Sequence, residues 1–366
     1  MTSFNQKVAN SWADDLRGPV ALHLRQVLMS VEGPGSVIFP PTYAKENTSK
    51  DPTPYAIDTY GKDKKVAQVD SVGAQANRME PMFKRAPDGM TANPLADLVP
   101  QIEFAIDTSH RVSLLDVGHR LGDALVRSSA LRDEATAAFE SFLRRGDAAP
   151  IAKIAPTSLV FGAWDSRGEQ AKMPRLVQSV IRAWDVDVLR RSAQYNPPID
   201  YAQHDVFSDE DRAKAESNSK SPLAQRGFVH VPAVDTHGGV VVHGEIVRDV
   251  TVNLVALRQI GAGGYAERGT ALRRYVLGLA LVAATEPQDG YLRQGCLLTP
   301  DPKTQRAWHV IARDGVRTEI ELTGENVLTY ARHSAEAFGV GPSREVAFDK
   351  NAAKADLPDK KAAKAK

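Results

Sequence analysis

The fold class is decided by residues 240–260, VVVHGEIVRDVTVNLVALRQI. This run is β-branched and largely alternating, which is typical of strands, and the charged pair Arg248-Asp249 predicts a break into two of them. The turn Gly261-Ala-Gly-Gly follows, and an apolar helical segment then spans Ala266 to Ala284. Consecutive strands followed by a helix, without regular β–α–β alternation, indicate an α+β domain built on a mostly antiparallel sheet.

Further strand and helix signals flank this centre on both sides. We predict a strand at Val20–Met29, a hairpin over Tyr55–Val69 and a buried strand at Ser158–Trp164. An amphipathic helix is predicted after Asp70, with Asp70 or Ser71 as its N-cap. The predicted later elements are strands at Trp308–Ile311 and Glu319–Leu322 and a final helix at Glu325–Phe338.

The chain of 366 residues is long enough for one large domain. We divide it into an N-terminal arm (1–19), a main domain (20–340) and a C-terminal tail (341–366). The polar stretch from Tyr195 to Gln225 has little periodicity and predicts an excursion from the domain. The end of the tail, 350–366, holds six Lys against two Asp and is rich in Ala, so we expect a basic tail that is disordered or weakly helical and has no core of its own.

Composition excludes several classes of protein. The longest apolar run, Tyr275–Ala284, is about half of what a membrane helix needs, and the N-terminus shows no secretory signal. A single cysteine, Cys296, excludes an internal disulfide and a Cys-based zinc cage, and its apolar neighbours predict a buried, inert thiol. We therefore expect a cytoplasmic protein without membrane contact. The net charge of +1 does not by itself indicate a nucleic-acid partner.

No motif demands catalysis or a cofactor. The turn Gly261–Gly264 lacks the Gly-Lys-Ser/Thr ending of a P-loop and the third glycine of a dinucleotide fingerprint. A tight turn, an RNA-backbone contact and a cofactor site all remain open for it. The nine histidines show no metal-binding spacing, and no Gly-x-Ser-x-Gly elbow surrounds Ser166. We expect no cofactor, no metal and no enzymatic activity.

The loop Ser166–Arg175 is rich in hydrogen-bond donors. It offers hydroxyl, guanidinium, amide and ammonium groups within ten residues, directly after a predicted buried strand. Such donors suit phosphate and ribose oxygens, and an arginine can bind two oxygens at once. A solvated charged loop is the alternative. The helix after Asp70 carries similar donors at Gln75, Asn77 and Arg78.

Four stretches together resemble the backbone subunit of the type I-G (formerly I-U) CRISPR effector complex, a member of the RAMP superfamily. They are residues 69–80 (VDSVGAQANRME), 158–177 (SLVFGAWDSRGEQAKMPRLV), 244–258 and the opening strand through Phe39-Pro-Pro-Thr. The resemblance extends over roughly 20–338.

This resemblance implies a modified RRM-like (ferredoxin-like) palm, an antiparallel sheet with finger and thumb insertions. Copies of the chain would stack into a helical filament that binds the crRNA and presents it to target DNA, beside other subunits of the complex. The thumb is expected within 195–240. Base pairing would then supply specificity, while the protein contacts phosphate and sugar. The strands show no aromatic signature, so base stacking on the sheet is not expected.

The resemblance also directs the choice of site residues. The candidates for phosphate contacts are Arg78, Arg167, Lys172 and Arg175, and those for ribose or phosphate oxygens are Gln75, Asn77, Ser166 and Gln170. Gly261, Gly263 and Gly264 would let RNA approach the main chain. Phe228 or Val229 would wedge against a base. Two other functions remain open, an RNA-cleaving RAMP nuclease and a metabolic enzyme that uses a nucleotide.

Overall fold

The computed structural model describes residues 2–44 and 53–357. Its strands are β1 Thr2–Ser3, β2 Ala21–Ser30, β3 Val37–Ile38, β4 Ile57–Tyr60, β5 Lys64–Asp70, β6 Ile102–Ala105, β7 Arg111–Ser113, β8 Ala163–Trp164, β9 Lys172–Met173, β10 Val177–Trp184, β11 Val186–Tyr195, β12 Val231–Val242, β13 Ile246–Asn253, β14 Tyr291–Arg293, β15 Cys296–Pro300, β16 Ala307–Ile311, β17 Arg317–Glu321 and β18 Arg344–Ala347.

The helices are α1 Gln6–Asp14, α2 Val72–Met79, α3 Ala124–Arg127, α4 Arg132–Arg145, α5 Ala149–Ile154, α6 Thr157–Phe161, α7 Asp209–Glu216, α8 Pro222–Gln225, α9 Leu254–Arg258, α10 Ala266–Thr285, α11 Gly324–Phe338 and α12 Lys350–Ala355. Short 3-10 turns lie at Glu80–Phe83, Ala96–Leu98, Leu114–Asp116 and Arg120–Gly122.

The main sheet has the strand order β1-β17-β16-β2-β13-β10-β5-β4, and β15 adds to β2. Its pairings are antiparallel except for β1 with β17. This confirms the predicted α+β class with an antiparallel sheet, an arrangement compatible with an RRM-like palm. The predicted strands at 20–29, 308–311 and 319–322, the hairpin at 55–69 and the helices at 266–284 and 325–338 are also confirmed.

Buried and more exposed side chains alternate along the central strands, so that one face of the sheet packs against the helices. In β2 the side chains of Leu22, Leu24 and Leu28 are buried, while their neighbours along the strand are at least partly exposed. The helix α10 lies against α1, α5, α6, α9 and α11 as well as β10 and β13. The second half of the helix, Tyr275–Thr285, is buried on all sides and is apolar around its whole circumference, whereas the first half is partly exposed and carries charged residues.

Buried polar side chains, among them Arg248 and Ser179, lie between two apolar clusters under the sheet, and we call them the buried polar row. The larger cluster surrounds α10, and the smaller one surrounds Ile38, Ala183 and Cys296. Between them, Arg248 donates to the hydroxyl of Ser179 at 3.1 Å and forms no ion pair with any described residue. Burial lowers the pKa of Arg248 to about 10. The predicted burial of the thiol is confirmed, and this burial raises the pKa of Cys296 to about 12.

Strands β11 and β12 form an antiparallel arm outside the main sheet. Strands β11 and β12 pair along most of their length, and α7 and α8 form a tip around a separate small cluster of Ala215, Ala224 and Val229. The predicted break at Arg248-Asp249 was wrong, because the chain turns at residues 243–245 and β13 runs on to Asn253. Gly244 permits this turn, since a Cβ there would lie 2.6 Å from the carbonyl oxygen of Trp184.

The predicted strand at Ser158–Trp164 was also wrong. Residues 157–161 form helix α6, and only Ala163–Trp164 pair as a strand, with β9. Every residue of α6 is buried. Its sequence therefore lacks the alternation or helical spacing that distinguishes a strand from a helix.

The terminal segments are more structured than the sequence indicates. The predicted N-terminal arm, residues 1–19, contains helix α1, which buries Ala9, Trp12 and Ala13 in the larger cluster. The prediction of a disordered tail was wrong over 341–349, where β18 pairs in parallel with β6, whereas the short helix α12 agrees with the weakly helical alternative. Arg127 lies 3.3 Å from Asp356 in an ion pair that holds this helix. Residues 358–366 lie outside the described residues.

Candidate nucleic-acid interface

Helix α2 begins as its sequence predicts. Ser71 is the N-cap, and its hydroxyl accepts the backbone N–H of Ala74 at 3.1 Å. The apolar side chains Ala76 and Met79 face the core, which leaves Asn77 on the exposed side. The helix is followed by a 3-10 turn, because Pro81 cannot continue the α-helical hydrogen bonds.

Gln75 lies on the buried side of this helix and is 1 % exposed. Its amide nitrogen donates to Asp70 at 2.7 Å, and its amide oxygen accepts from the hydroxyl of Ser179 at 2.6 Å. Both ends of the amide are therefore used inside the protein. The prediction that Gln75 contacts RNA was wrong, and its function is to extend the buried polar row.

Arg78 is largely occupied by contacts within the chain. Its Nε lies 3.0 Å from the carboxylate of Asp70, which is buried. Its Nη2 donates to the carbonyl oxygen of Leu292 at 3.0 Å, and Nη1 lies 3.4 Å from that of Tyr291. Arg78 thus joins α2 to β14, and only part of its guanidinium faces solvent.

The donor-rich loop is a turn built around one buried carboxylate. Asp165 accepts the backbone N–H groups of Gly168 at 3.1 Å and Glu169 at 2.6 Å. A Cβ on Gly168 would lie 2.4 Å from the same carboxylate, so the turn closes only around glycine. Gln170, at a φ of 61°, donates from its side chain to the carbonyl oxygen of Ser166 at 2.7 Å. The amide of Gln170 therefore helps to close the loop, while the Ser166 side chain is exposed.

Three exposed cationic side chains lie on this loop. Arg167, Lys172 and Arg175 form no hydrogen bond or ion pair with any residue that the structure describes. Lys172 lies opposite Trp164 in the two-stranded ribbon β8–β9, and its Nζ is 5.7 Å from the indole centroid. Unpaired cations on a fixed loop retain their full capacity to bind an anion such as a phosphate.

The fold brings this loop against helix α2. The guanidinium of Arg175 lies 3.8 Å from the position that a Cβ on Gly73 would take. Arg120 connects the same two segments, since it donates to Asn77 at 3.2 Å and to the carbonyl oxygen of Gly162 at 3.1 Å. We call the surface formed by Asn77, Ser166, Arg167, Lys172 and Arg175 the donor surface.

A buried ion pair lies beneath the donor surface. The Nε of Arg120 is 2.6 Å from Oε2 of Glu80, and both side chains are almost fully buried. Burial raises the pKa of Glu80 to about 7, although the Arg120 charge opposes this shift. Burial likewise lowers the pKa of Arg120.

The glycine turn at 261–264 serves the protein's own packing. A Cβ on Gly261 would lie 2.8 Å from the carbonyl oxygen of Gly146, and one on Gly263 would lie 3.2 Å from Asp147. These close approaches are made to the chain itself, so packing within the protein already explains Gly261 and Gly263, and an RNA contact at this turn stays a prediction. Gly264 has a φ of 89° and no atom near its Cβ position, as expected of a turn residue.

The two predicted wedge residues have different environments. Val229 is 1 % exposed in the tip cluster, so it is not available as a wedge. Phe228 is partly exposed and packs edge-on against Tyr201, with ring centroids 5.0 Å apart. Ile199 and Val206, which the sequence did not indicate, are the exposed apolar side chains of the tip.

Sequence reasoning missed two residues of this region. The sequence predicts Trp164 at the end of a buried strand, yet its side chain is largely exposed. Arg120 gave no local signal, because its partners Asn77 and Gly162 lie more than 40 positions away. In the described part of the chain, no group of His, Cys, Asp and Glu side chains could hold a metal ion. None of the helices described there is long and apolar enough to cross a membrane.

Residues 22–188 match the family model of CRISPR-associated protein GSU0053. The match indicates a CRISPR-associated protein. It covers less than half of the chain but contains α2 and the whole donor surface. It ends within β11, so most of the arm and strand β13 lie beyond it. No curated protein matches the chain.

Proposed function

We propose that this chain is a non-catalytic backbone subunit of a type I-G CRISPR interference complex, in which successive copies bind the crRNA spacer and present it to target DNA. The observation that carries the proposal is the donor surface. Its three unpaired cations stand on a loop fixed by Asp165, within the region that matches a CRISPR-associated family.

The chemistry of the donor surface favours contact with phosphate and ribose. Arg167, Lys172 and Arg175 supply cations for phosphates, and Asn77 and Ser166 supply polar groups for sugar or phosphate oxygens. Contacts of this kind carry no sequence information, which suits a protein that must accept any guide. Because the net charge is only +1, we expect RNA to bind along a narrow stripe, and copies of the chain can pack together without strong electrostatic repulsion.

The arm supports the same proposal. Strands β11 and β12 lie outside the main sheet, the second half of β11 is exposed, and the segment that joins the two strands forms a tip with exposed apolar side chains. We assign the thumb to this arm, where it would separate short runs of guide bases. Phe228, Ile199 and Val206 are the side chains available for contact with bases.

The test is purification of the chain with the proteins encoded beside it, followed by extraction of bound nucleic acid. We expect short RNA of one defined length, and the purified complex should leave that RNA uncleaved. Preparations without such RNA would refute the backbone function. Progressive cleavage of a labelled guide would favour the nuclease alternative.

A second test measures the salt dependence of RNA binding. Lys172→Ala and Arg167→Glu should each weaken binding and lower the slope of log K against log salt by about one phosphate contact or more. Lys7→Ala, an exposed lysine of α1, is the matched control and should leave both quantities unchanged. Equal slopes for Lys172→Ala and Lys7→Ala would remove Lys172 from the interface.

A further inference from the structure

Trp164 is an exposed indole on a rigid ribbon. Its side chain is 54 % exposed, whereas Trp12 and Trp308 are buried in the larger apolar cluster. Trp184 is partly buried and packs edge-on against Tyr60. Among these four tryptophans, Trp164 is the one whose ring lies largely in solvent and is accessible to a ligand.

The backbone beneath this indole is held from two sides. The N–H of Asp165 donates to the carbonyl oxygen of Ala171 at 2.9 Å, which closes the ribbon. Gly122 approaches so closely that a Cβ there would lie 2.9 Å from the carbonyl oxygen of Trp164. The ring is therefore presented from a fixed position, and a ligand does not have to order the ribbon on binding.

The charges around the ring select the kind of ligand. Lys172 lies 5.7 Å from the indole centroid, and Arg167 and Arg175 flank the ribbon without an ion-pair partner among the described residues. An aromatic face beside several free cations suits a flat group that carries an anionic backbone. Unpaired nucleotides have this composition, whereas the bases of a duplex are stacked on one another and are not accessible.

We propose that Trp164 is a stacking platform for one base of single-stranded RNA, with Lys172 bound to an adjacent phosphate. This inference rests on the proposed function and assigns a base contact to a surface otherwise described through phosphate and ribose. Stacking accepts every base, so it adds affinity without restricting the guide sequence.

The experiment compares wild type with Trp164→Ala, Trp164→Leu and Trp164→Phe in titrations with a labelled single-stranded RNA oligonucleotide. We expect Trp164→Ala and Trp164→Leu to weaken binding about tenfold, with an unchanged salt slope, and Trp164→Phe to keep most of the affinity. The leucine variant retains an apolar side chain, so it separates stacking from simple burial. Circular dichroism verifies that each variant is folded.

Tryptophan fluorescence supplies a direct readout of stacking. RNA should quench the emission of wild type and of Trp184→Phe, and the quenching should be lost in Trp164→Phe. Equal affinity of all variants, or quenching that persists in Trp164→Phe, would overturn the platform and leave the proposed function intact. Loss of self-association with unchanged RNA affinity would also overturn it. Failure of the wild-type chain to bind RNA would count against both.

Discussion

The carboxylate of Glu80 lies 2.6 Å from the guanidinium of Arg120, and both groups are buried beneath the donor surface. Arg120 reaches this position with a φ of 54°, an uncommon conformation for a side chain of its size. From there it also bonds to Asn77 and to the carbonyl oxygen of Gly162. The ion pair therefore fixes helix α2 relative to the ribbon that carries Trp164.

Removal of the cation should destabilise the protein strongly. Arg120→Met leaves the Glu80 carboxylate buried without its partner, and we expect a loss of about 3–5 kcal/mol in the free energy of unfolding. The control is Arg344→Met, which breaks the exposed pair with Glu134 and should cost less than about 1 kcal/mol. Urea titration measures both. A similar small loss in the two variants would show that the buried pair does not hold the region together.

Glu80 should also make stability depend on pH. Burial raises its pKa in the folded state from 4.5 to about 7, so the folded protein binds this proton more tightly than the unfolded chain does. Its contribution is complete below pH 4.5 and is lost as the pH rises to about 7. Glu80→Gln cannot titrate. The stability of wild type relative to this variant should therefore fall across that interval, and a constant difference would contradict the raised pKa.

Gly168→Ala should impair RNA binding more than folding. The added Cβ would meet the Asp165 carboxylate at 2.4 Å, and that carboxylate is held by two backbone N–H groups. The turn must open, which moves Arg167 from its position. We expect a several-fold loss of RNA affinity with little change in melting temperature, because the turn lies at the surface. The control is Gly324→Ala, where the added Cβ would lie 3.8 Å from its nearest neighbour, the carboxylate of Glu286. This is an ordinary contact, so RNA affinity should not change.

Arg78 and Lys172 should respond differently to truncation. Arg78→Ala leaves the buried Asp70 without its ion pair, so unfolding should become easier by about 1–3 kcal/mol. Lys172→Ala should leave stability unchanged and lower the salt slope of RNA binding by about one. Measured side by side, the two variants separate a structural arginine from a phosphate contact. A lower salt slope of RNA binding in Arg78→Ala would show that Arg78 also contacts a phosphate.

The tip of the arm should be removable. Tyr195 and Val231 are paired in register, so residues 196–230 can be replaced by Asn-Gly, which favours a two-residue hairpin turn. Neither apolar cluster under the sheet contains a residue of this segment, and we expect the shortened chain to fold and bind RNA. Chemical probing of the guide should then lose any regular pattern of reactive bases. A pattern that survives would place the thumb elsewhere.

Local signals in the sequence predicted the α+β class, the central strands and the cap of α2. They could not separate Gln75 from Asn77, because both residues carry amides on one short helix. Contact with Ser179 of β10, far along the chain, decides which of them is buried. For the same reason α6 resembled a strand and Arg120 gave no signal. Contacts with residues far away in the sequence determine these positions, and a short stretch of sequence carries no information about such contacts.

The small cluster of Ala215, Ala224 and Val229 has an evolutionary consequence. These side chains pack apart from the two clusters under the sheet, and the segment joins the body through a pair of strands. Mutations in the tip are therefore insulated from the stability of the main domain. Selection can lengthen, shorten or exchange this segment while the rest of the molecule stays constant. Relatives should accordingly differ most between the positions of Tyr195 and Val231.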